Sequence, residues 1–214
     1  MELKEQALAL YKEVFWEDGA DFATAFTDKY FERCCKYVLI NGEIVSMLYL
    51  LDCTVFDGEN TFLAKYLYAA ATKVEHRKKG LMSKLINSAL MENKIIITKP
   101  ATEELFAFYE KFGFTVCSYK DDVKKEFHNK IERKEYIKIR KSLLLNTPHI
   151  ILADEEFALC GLALYGNDAY CAAVDNDTKL VKEYISKNSQ KGTKPFAMWT
   201  LKDKPPVYFG VAMD

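Results

Sequence analysis

An Asn-Gly pair at residues 41–42 separates two runs rich in β-forming side chains, residues 37–40 and 43–51. This dipeptide between two such runs is the strongest short-range signal for a β-hairpin. A turn signal at residues 57–60 and a third apolar run from Phe62 to Thr72 extend the hairpin into an antiparallel meander. The sequence therefore predicts a sheet within residues 37–72, and the segments on either side of it have to cover that sheet.

The segments that flank this meander have helical periodicity. Apolar residues recur every three or four positions within the first 15 residues and again from Asp21 to Phe31, which predicts two amphipathic helices. Beyond the meander, the pattern predicts a helix from residue 81 to 90, a short buried strand at 95–97 and a helix capped by Thr102. The predicted fold class is α/β (α+β), with a mixed, mostly antiparallel sheet flanked by helices.

A segment dense in charges of both signs, residues 120–135, predicts a solvated connector. We therefore expect a first domain of residues 1–130 and a smaller, β-rich C-terminal lobe of residues 131–214. The elements predicted in this lobe are strands at 150–152, 157–165 and 170–174, a helix from Thr178 to Ile185, and a closing strand pair at 196–201 and 207–213.

Composition excludes several classes of function. The 30 Lys and Arg residues nearly balance the 31 Asp and Glu residues, so we expect no nucleic-acid partner. No apolar run approaches the roughly 20 residues that span a bilayer, and the N-terminus does not resemble a signal peptide. The six cysteines form no CxxC pair and no cluster with histidine. The sequence thus predicts a cytoplasmic protein with reduced thiols, without a metal and without a membrane partner.

A strand that leads through a short basic loop into a helix is the main candidate for a binding site. The loop is Arg77-Lys78-Lys79-Gly80, and the helix begins at Leu81. The first N–H groups of a helix have no intrahelical partners, and together with the helix dipole they attract anions. Because Gly80 has no Cβ, a ligand can approach its backbone closely. The pattern predicts a site for a pyrophosphate, although an Arg-x-x-Gly taken alone is more often a solvated basic turn.

A second motif, FYEKFGF at residues 108–114, follows a short apolar strand and a helix. Together the two motifs resemble the signatures of the GNAT superfamily of N-acetyltransferases. Residues 77–82 are similar to its acyl-coenzyme A loop, (R/Q)xxGx(G/A), and residues 108–114 to a stretch in which a Tyr precedes Gly-Phe. Met82 departs from this pattern, since the family has Gly or Ala there. The C-terminal residues resemble the second lobe of two-lobed bacterial members related to the enhanced-intracellular-survival acetyltransferases, here without a phosphate loop of their own.

The resemblance implies a GNAT fold and an enzyme that moves an acetyl group from acetyl-CoA to a primary amine by direct attack. It implies that Tyr109 is the catalytic acid, because a phenol with a pKa of about 10 is protonated at neutral pH. An ordinary core aromatic is the alternative role for this residue. The cofactor-binding residues that the resemblance implies are Thr72, Lys73, Val74, Arg77, Lys78, Lys79, Gly80, Leu81, Met82 and Ser83.

Several points stay open at the level of the sequence. A non-catalytic acyl-CoA sensor or interaction module is the alternative function, and the acceptor could be a small molecule or a protein. Monomer and homodimer are both compatible with the sequence. No pattern identifies the general base among the carboxylates in or near the first half, which include Glu17, Asp18, Glu32 and Asp52.

Overall fold

The structure, a computed structural model, describes residues 1–123, 125–187, 192–202, 204 and 207–211. The chain forms two compact units, each made of two stretches of sequence. The first unit combines Met1–Leu51 with Lys65–Phe114, and the second combines Asp52–Ala64 with Thr115–Asp214. The functional division at residue 130 stays a prediction.

The first unit contains a mixed sheet and four helices. Its elements in chain order are α1 (Leu3–Val14), α2 (Ala20–Cys34), β1 (Cys35–Ile40), β2 (Glu43–Phe56), β3 (Thr61–Thr72), α3 (Leu81–Glu92), β4 (Ile96–Thr98) and α4 (Glu103–Glu110), with 3-10 turns at Trp16–Asp18 and Val74–His76. The far end of β2 and the beginning of β3, residues 52–56 and 61–64, belong to the second unit.

The predicted hairpin is confirmed. β1 and β2 pair antiparallel, from Cys35 opposite Tyr49 to Ile40 opposite Glu43. Asn41 and Gly42 have φ angles of +52° and +79°, the left-handed conformation that a tight hairpin turn requires at both positions. β3 is the next strand in the sheet and pairs in parallel with β4, so the sheet is mixed, as predicted.

The core of the first unit is rich in aromatic residues, and Phe26 of α2 lies at its centre. The Phe26 ring is fully buried and contacts Tyr11 of α1, Tyr49 of β2 and Tyr68 of β3, with centroid distances of 5.4, 4.8 and 5.2 Å. These contacts place α1 and α2 on the sheet face that carries Tyr49 and Tyr68. The two helices predicted from the N-terminal periodicity are therefore confirmed.

The second unit is mainly β-structure. Its further elements are β5 (Thr115–Lys120), α5 (Arg133–Leu144), β6 (His149–Leu152), α6 (Glu155–Ala158), β7 (Leu162–Asn167), β8 (Tyr170–Asp175), β9 (Val181–Ser186), β10 (Lys194–Trp199) and β11 (Tyr208–Gly210). β7, β8 and β9 form an antiparallel three-stranded sheet, which agrees with the β-rich lobe that we predicted. Apolar side chains of α5, including Tyr136 and Leu144, belong to one core cluster with Leu164 of β7 and Ile185 of β9.

Strand pairing in the rest of the second unit joins segments that are distant in sequence. β6 pairs antiparallel with the end of β2, from Cys53 opposite Leu152 to Phe56 opposite His149. β11 pairs in parallel with β6, and β10 pairs antiparallel with β5. The strands predicted at 196–201 and 207–213 are thus present as β10 and β11. They pair with β5 and β6 rather than, as we had expected, with each other. Residues 212–213 of the second prediction lie outside the described residues.

The helix predicted from Thr178 to Ile185 is wrong, since this segment contains strand β9. The Asp175 carboxylate accepts hydrogen bonds from the backbone N–H groups of Asp177 and Thr178 and from the Thr178 hydroxyl, at 2.7–2.9 Å. These bonds stabilise a turn, which Lys179 completes with a φ of +60°. Thr178 therefore caps a hairpin rather than a helix.

The strand predicted at 157–165 begins later than expected. Asp154 caps the short helix α6 by accepting a hydrogen bond from the Phe157 N–H at 3.2 Å. Two glutamates in the first turn of this helix favour it further through the helix dipole. Gly161, with a φ of +78°, follows the helix, and β7 starts only at Leu162.

Within the described residues, no helix combines the length and the apolar character needed to cross a membrane.

Candidate active site

The basic loop between β3 and α3 has the geometry of an anion site. The 3-10 turn Val74–His76 ends β3, and the chain then passes through exposed Arg77, Lys78 and Lys79 to Gly80. Gly80 is the N-cap residue of α3, and its carbonyl accepts the N–H of Lys84 at 3.0 Å. The first N–H groups of α3 therefore point back toward the loop, where three cations are exposed.

Gly80 is required here for a reason that the sequence does not show. Its φ of +76° lies in the left-handed region, in which a residue with a side chain is strained. A Cβ at this position would also meet no protein atom within 4 Å, so it would project into open space in front of the helix. Lys78 is left-handed as well, with a φ of +60°, and such residues turn successive N–H groups toward an anion.

Arg77 and Lys73 lie close together in sequence but have different partners. The Arg77 Nε donates to the Thr72 carbonyl at 3.1 Å, which uses one of the five guanidinium donors. The Lys73 ammonium instead lies 2.8 Å from the Glu43 carboxylate, and this hydrogen-bonded pair holds the pKa of Glu43 below its usual range. The Lys73 N–H donates to the Val45 carbonyl at 2.9 Å. Lys73 is therefore held by internal contacts, and the Thr72 hydroxyl is hydrogen-bonded to the Ser46 hydroxyl at 2.8 Å.

His76, at the end of the same 3-10 turn, has a buried ring nitrogen. Among the described residues, no group lies within hydrogen-bonding distance of its Nδ1. A buried polar atom without a partner is costly in a folded protein.

Tyr109 lies near the C-terminal end of α4 and is 5% exposed. Its ring contacts Phe108 and Phe114, with centroid distances of 5.3 and 5.4 Å. Burial raises the pKa of Tyr109, and a hydrogen bond with the Thr98 side chain acts in the opposite direction. The phenol therefore stays protonated at neutral pH, which is the form required of an acid.

Tyr109 is also connected to the point where β3 and β4 separate. The Thr98 hydroxyl, at the end of β4, donates to the Leu67 carbonyl of β3 at 3.2 Å. The register of the two strands ends at this Leu67–Thr98 pair, and Ala69 then adopts a φ of +48° within β3. A left-handed residue inside a strand marks a local irregularity, and such irregularities are common next to active sites. Thr98 was not singled out in the sequence, because only the fold brings it to Tyr109.

One of the carboxylates that the sequence leaves open as the general base, Asp18, forms hydrogen bonds with two tyrosines of the first unit. Asp18, in the turn between α1 and α2, accepts a hydrogen bond from the Tyr11 hydroxyl at 2.5 Å and one from the Tyr68 hydroxyl at 3.4 Å. The two hydroxyls are 3.1 Å apart. Tyr68 precedes Ala69, so this cluster lies at the same irregularity of β3. Its three members are 7, 50 and 57 residues apart, and no local sequence signal could connect them.

Comparisons with known proteins identify the family and the fold. A sequence profile of the acetyltransferase (GNAT) domain matches residues 2–117. Similar solved structures are GCN5-related N-acetyltransferases from Kribbella flavida and Anabaena variabilis, both 14% identical, with TM-scores of 0.58 and 0.60. Each alignment covers 86% of this chain and 56% of the other. Eis1 from Mycobacterium abscessus is 8% identical with a TM-score of 0.51, over 74% of this chain and 51% of that one.

The fold is therefore that of a GCN5-related N-acetyltransferase. Because the profile covers more than half of the residues, the chain belongs to the acetyltransferase (GNAT) domain family, and the resemblance to this family is confirmed. The chain spans 56% of the length of the first two solved structures. Comparison with curated proteins gives no significant match.

Proposed function

We propose that this protein transfers an acetyl group from acetyl-CoA to a primary amine. The observation that carries the proposal is the opening in front of Gly80, where a left-handed glycine, the start of α3 and three exposed cations converge. A pyrophosphate, with its spread negative charge, is the group that such an arrangement binds best. Coenzyme A carries this group.

The loop residues have distinct tasks in the proposed binding site. Arg77 keeps guanidinium donors for the phosphate oxygens, while Lys78 and Lys79 add charge at the rim. The backbone N–H groups of Gly80 to Ser83 bind the pyrophosphate directly, because Gly80 permits a close approach. Thr72 and Val74 hold the pantetheine arm at the end of β3, and Val74, at 63% exposure, is open to it.

Tyr109 acts on the leaving group in this proposal. The amine nitrogen attacks the thioester carbon and loses one proton to water, the carbon–sulfur bond breaks, and the sulfur keeps the bonding electron pair. The Tyr109 phenol then donates its proton to that thiolate and recovers one from solvent. Its position beside Thr98, where β3 and β4 separate, supports this role over that of a core aromatic, and its burial keeps water away from the transfer.

The acceptor is a small-molecule or protein amine, and the compartment is the cytoplasm. The six cysteines, all within the described residues, form no disulfide with one another, which supports a reducing compartment. Neither the predicted absence of a metal nor the oligomeric state affects the chemistry above.

The proposal is tested by an acceptor screen in which release of the coenzyme A thiol is detected. The panel contains 1,4-diaminobutane, an aminoglycoside, a lysine-containing peptide and a peptide with a free N-terminus. We expect thiol release above the acceptor-free rate with at least one amine, and mass spectrometry should find that amine acetylated. Failure with every amine, together with tight binding of acetyl-CoA, would support the non-catalytic sensor instead.

A further inference from the structure

Thr98 has a buried hydroxyl in a strand that is otherwise aliphatic. β4 consists of Ile96, Ile97 and Thr98, which are 0%, 0% and 2% exposed. Valine has the same branching at Cβ as threonine and would fill nearly the same space without a polar atom. A buried hydroxyl stabilises a fold only where it is hydrogen-bonded, because its transfer out of water is costly. The partners of this hydroxyl therefore determine what it contributes.

The Thr98 hydroxyl joins groups on two other elements. It donates its proton to the Leu67 carbonyl of β3 at 3.2 Å, and it also forms a hydrogen bond with the Tyr109 side chain of α4. A carbonyl can only accept, and a hydroxyl has a single proton to donate. Because the Thr98 proton goes to the Leu67 carbonyl, Thr98 accepts from Tyr109, and the phenol donates its proton to the Thr98 oxygen.

The surroundings of Tyr109 fix its ring but not its hydroxyl. The ring contacts Phe108 and Phe114, whereas a hydroxyl proton rotates about its own C–O bond to suit its partners. Leu67, Thr98 and Tyr109 are each at most 5% exposed, so water has little access to replace a lost partner. The hydrogen bond with Thr98 therefore sets the direction of the phenol O–H.

Loss of the Tyr109 proton reverses the direction of this hydrogen bond. A phenolate has no proton to donate, and as a charged acceptor it forms a stronger hydrogen bond than a neutral carbonyl does. The Thr98 O–H reaches it by rotating away from the Leu67 carbonyl. In agreement with this, the hydrogen bond with Thr98 lowers the pKa of Tyr109, against the effect of burial. The same hydroxyl thus serves both protonation states of the phenol.

We infer that Thr98 is a positioning residue for Tyr109: its hydroxyl holds the phenol before proton transfer and donates to the phenolate that the transfer leaves. This inference rests on the proposed function and adds a residue to it. The phenol O–H bond breaks, its proton goes to the coenzyme A sulfur, and the oxygen keeps the electron pair. Meanwhile the Thr98 O–H turns from the Leu67 carbonyl to the phenol oxygen, and its proton stays on Thr98. Water then returns a proton to Tyr109.

The test is a double-mutant cycle of Thr98→Val and Tyr109→Phe, with an amine that the acceptor screen finds acetylated. In Thr98→Val we expect kcat to fall roughly tenfold, with the Kd of acetyl-CoA within about threefold of wild type. Thr98→Ser keeps the hydroxyl and should recover most of the loss. In the Tyr109→Phe background, Thr98→Val should change kcat by less than about twofold, because the group through which Thr98 acts is absent. A purely structural role would make the two losses add.

Thr27→Val is the matched control for the loss of a buried hydroxyl. Thr27 lies on α2 in the same unit and is 1% exposed. The change is chemically the same as in Thr98→Val, and we expect kcat to stay within about twofold of wild type.

A second readout does not depend on catalysis. In protein isotope-labelled at the tyrosine Cζ, the Tyr109 signal is the one missing from the spectrum of Tyr109→Phe. This carbon is bonded to the hydroxyl oxygen, so its chemical shift responds to the hydrogen bond. The signal should move in Thr98→Val and stay near its wild-type position in Thr98→Ser and in Thr27→Val.

The outcomes separate the inference from the proposed function. Additive losses of kcat in the cycle, or a Tyr109 signal that does not move in Thr98→Val, would overturn the inference and leave the acetyltransferase proposal intact. A wild-type protein that acetylates no amine would overturn the proposed function and the inference together.

Discussion

Arg77 in the first unit and Arg140 in the second have the same side chain in opposite surroundings. Arg77 is exposed, and its described hydrogen bond goes to a neutral carbonyl. Arg140 is 3% exposed and donates to Glu183 at 2.6 Å, to Glu155 at 2.7 Å and to the Gly210 carbonyl. Burial acts to lower the pKa of Arg140, but the charge of Glu183 and the hydrogen bond to it raise the pKa above its ordinary value.

This difference distinguishes an arginine whose charge is accessible to a ligand, Arg77, from one whose charge stabilises the fold, Arg140. A buried arginine between two carboxylates has its partners within the fold, and a ligand would have to displace them. An exposed arginine next to the N-terminus of a helix retains its charge for an anion. We therefore assign ligand binding to the loop of the first unit and a structural role to Arg140, and the following predictions test that assignment.

The largest effect should come from removing the chain after Lys130. In the second unit, β5 would lose its partner β10, and residues 53–56 would lose their partner β6. The unpaired strand edges and the apolar residues beneath them would be exposed to water. We expect the truncated chain to be insoluble or to unfold without cooperativity, whereas the full chain melts cooperatively. A soluble fragment of residues 1–130 with cooperative melting and full acetyl-CoA binding would contradict this view.

The next largest effect should be that of Arg140→Met. Two carboxylates, one of them in the buried residue Glu183, would lose their shared cation, which costs about 3–5 kcal/mol of the free energy of unfolding. The measurement is urea-induced unfolding followed by circular dichroism. Lys141→Met is the control, since Lys141 pairs with Glu155 at 3.2 Å but its side chain is 62% exposed, and we expect a loss below about 1 kcal/mol. Equal losses for the two variants would mean that burial does not distinguish them.

Tyr109→Phe should act on turnover and not on binding. The change removes one hydroxyl and almost no volume, so we expect turnover to fall roughly a hundredfold with acetyl-CoA affinity within about threefold of wild type. Because the pKa of Tyr109 is raised, wild-type turnover should not lose this acid below about pH 10. Tyr119→Phe, at a 39% exposed tyrosine, is the control and should leave turnover unchanged. Wild-type turnover in Tyr109→Phe at every pH would mean that Tyr109 is an ordinary core aromatic and not the catalytic acid.

The local parts of this structure could be predicted from the sequence. The hairpin at residues 41–42 and the start of α3 after Gly80 depend on neighbouring residues, and both are confirmed. α4 also begins after Thr102 as predicted, although the Thr102 side chain bonds to the Glu104 carboxylate rather than capping the helix. These features need only turn chemistry and periodicity, which a single sequence contains.

The predictions that were wrong or could not be made depend on contacts that the sequence does not reveal. β9 was predicted as a helix because Thr178 is a good cap, but three hydrogen bonds to Asp175 make it part of a turn. The hydrogen bond from Tyr68 to Asp18 joins residues 50 positions apart, which no local pattern predicts. Long-range contacts of this kind outweigh local propensity, and they determine the strand pairing of the second unit.

The central claim, that the loop before α3 is the coenzyme A site, is tested most directly by calorimetric titration of acetyl-CoA into Arg77→Glu. A carboxylate there would repel the pyrophosphate and remove its guanidinium donors, so we expect binding roughly tenfold to a hundredfold weaker than in the wild type. Lys94→Glu makes the same change of charge at an exposed residue beyond the end of α3, and it should bind acetyl-CoA within about threefold of wild type. Unchanged affinity in Arg77→Glu, or an equal loss in both variants, would contradict the account.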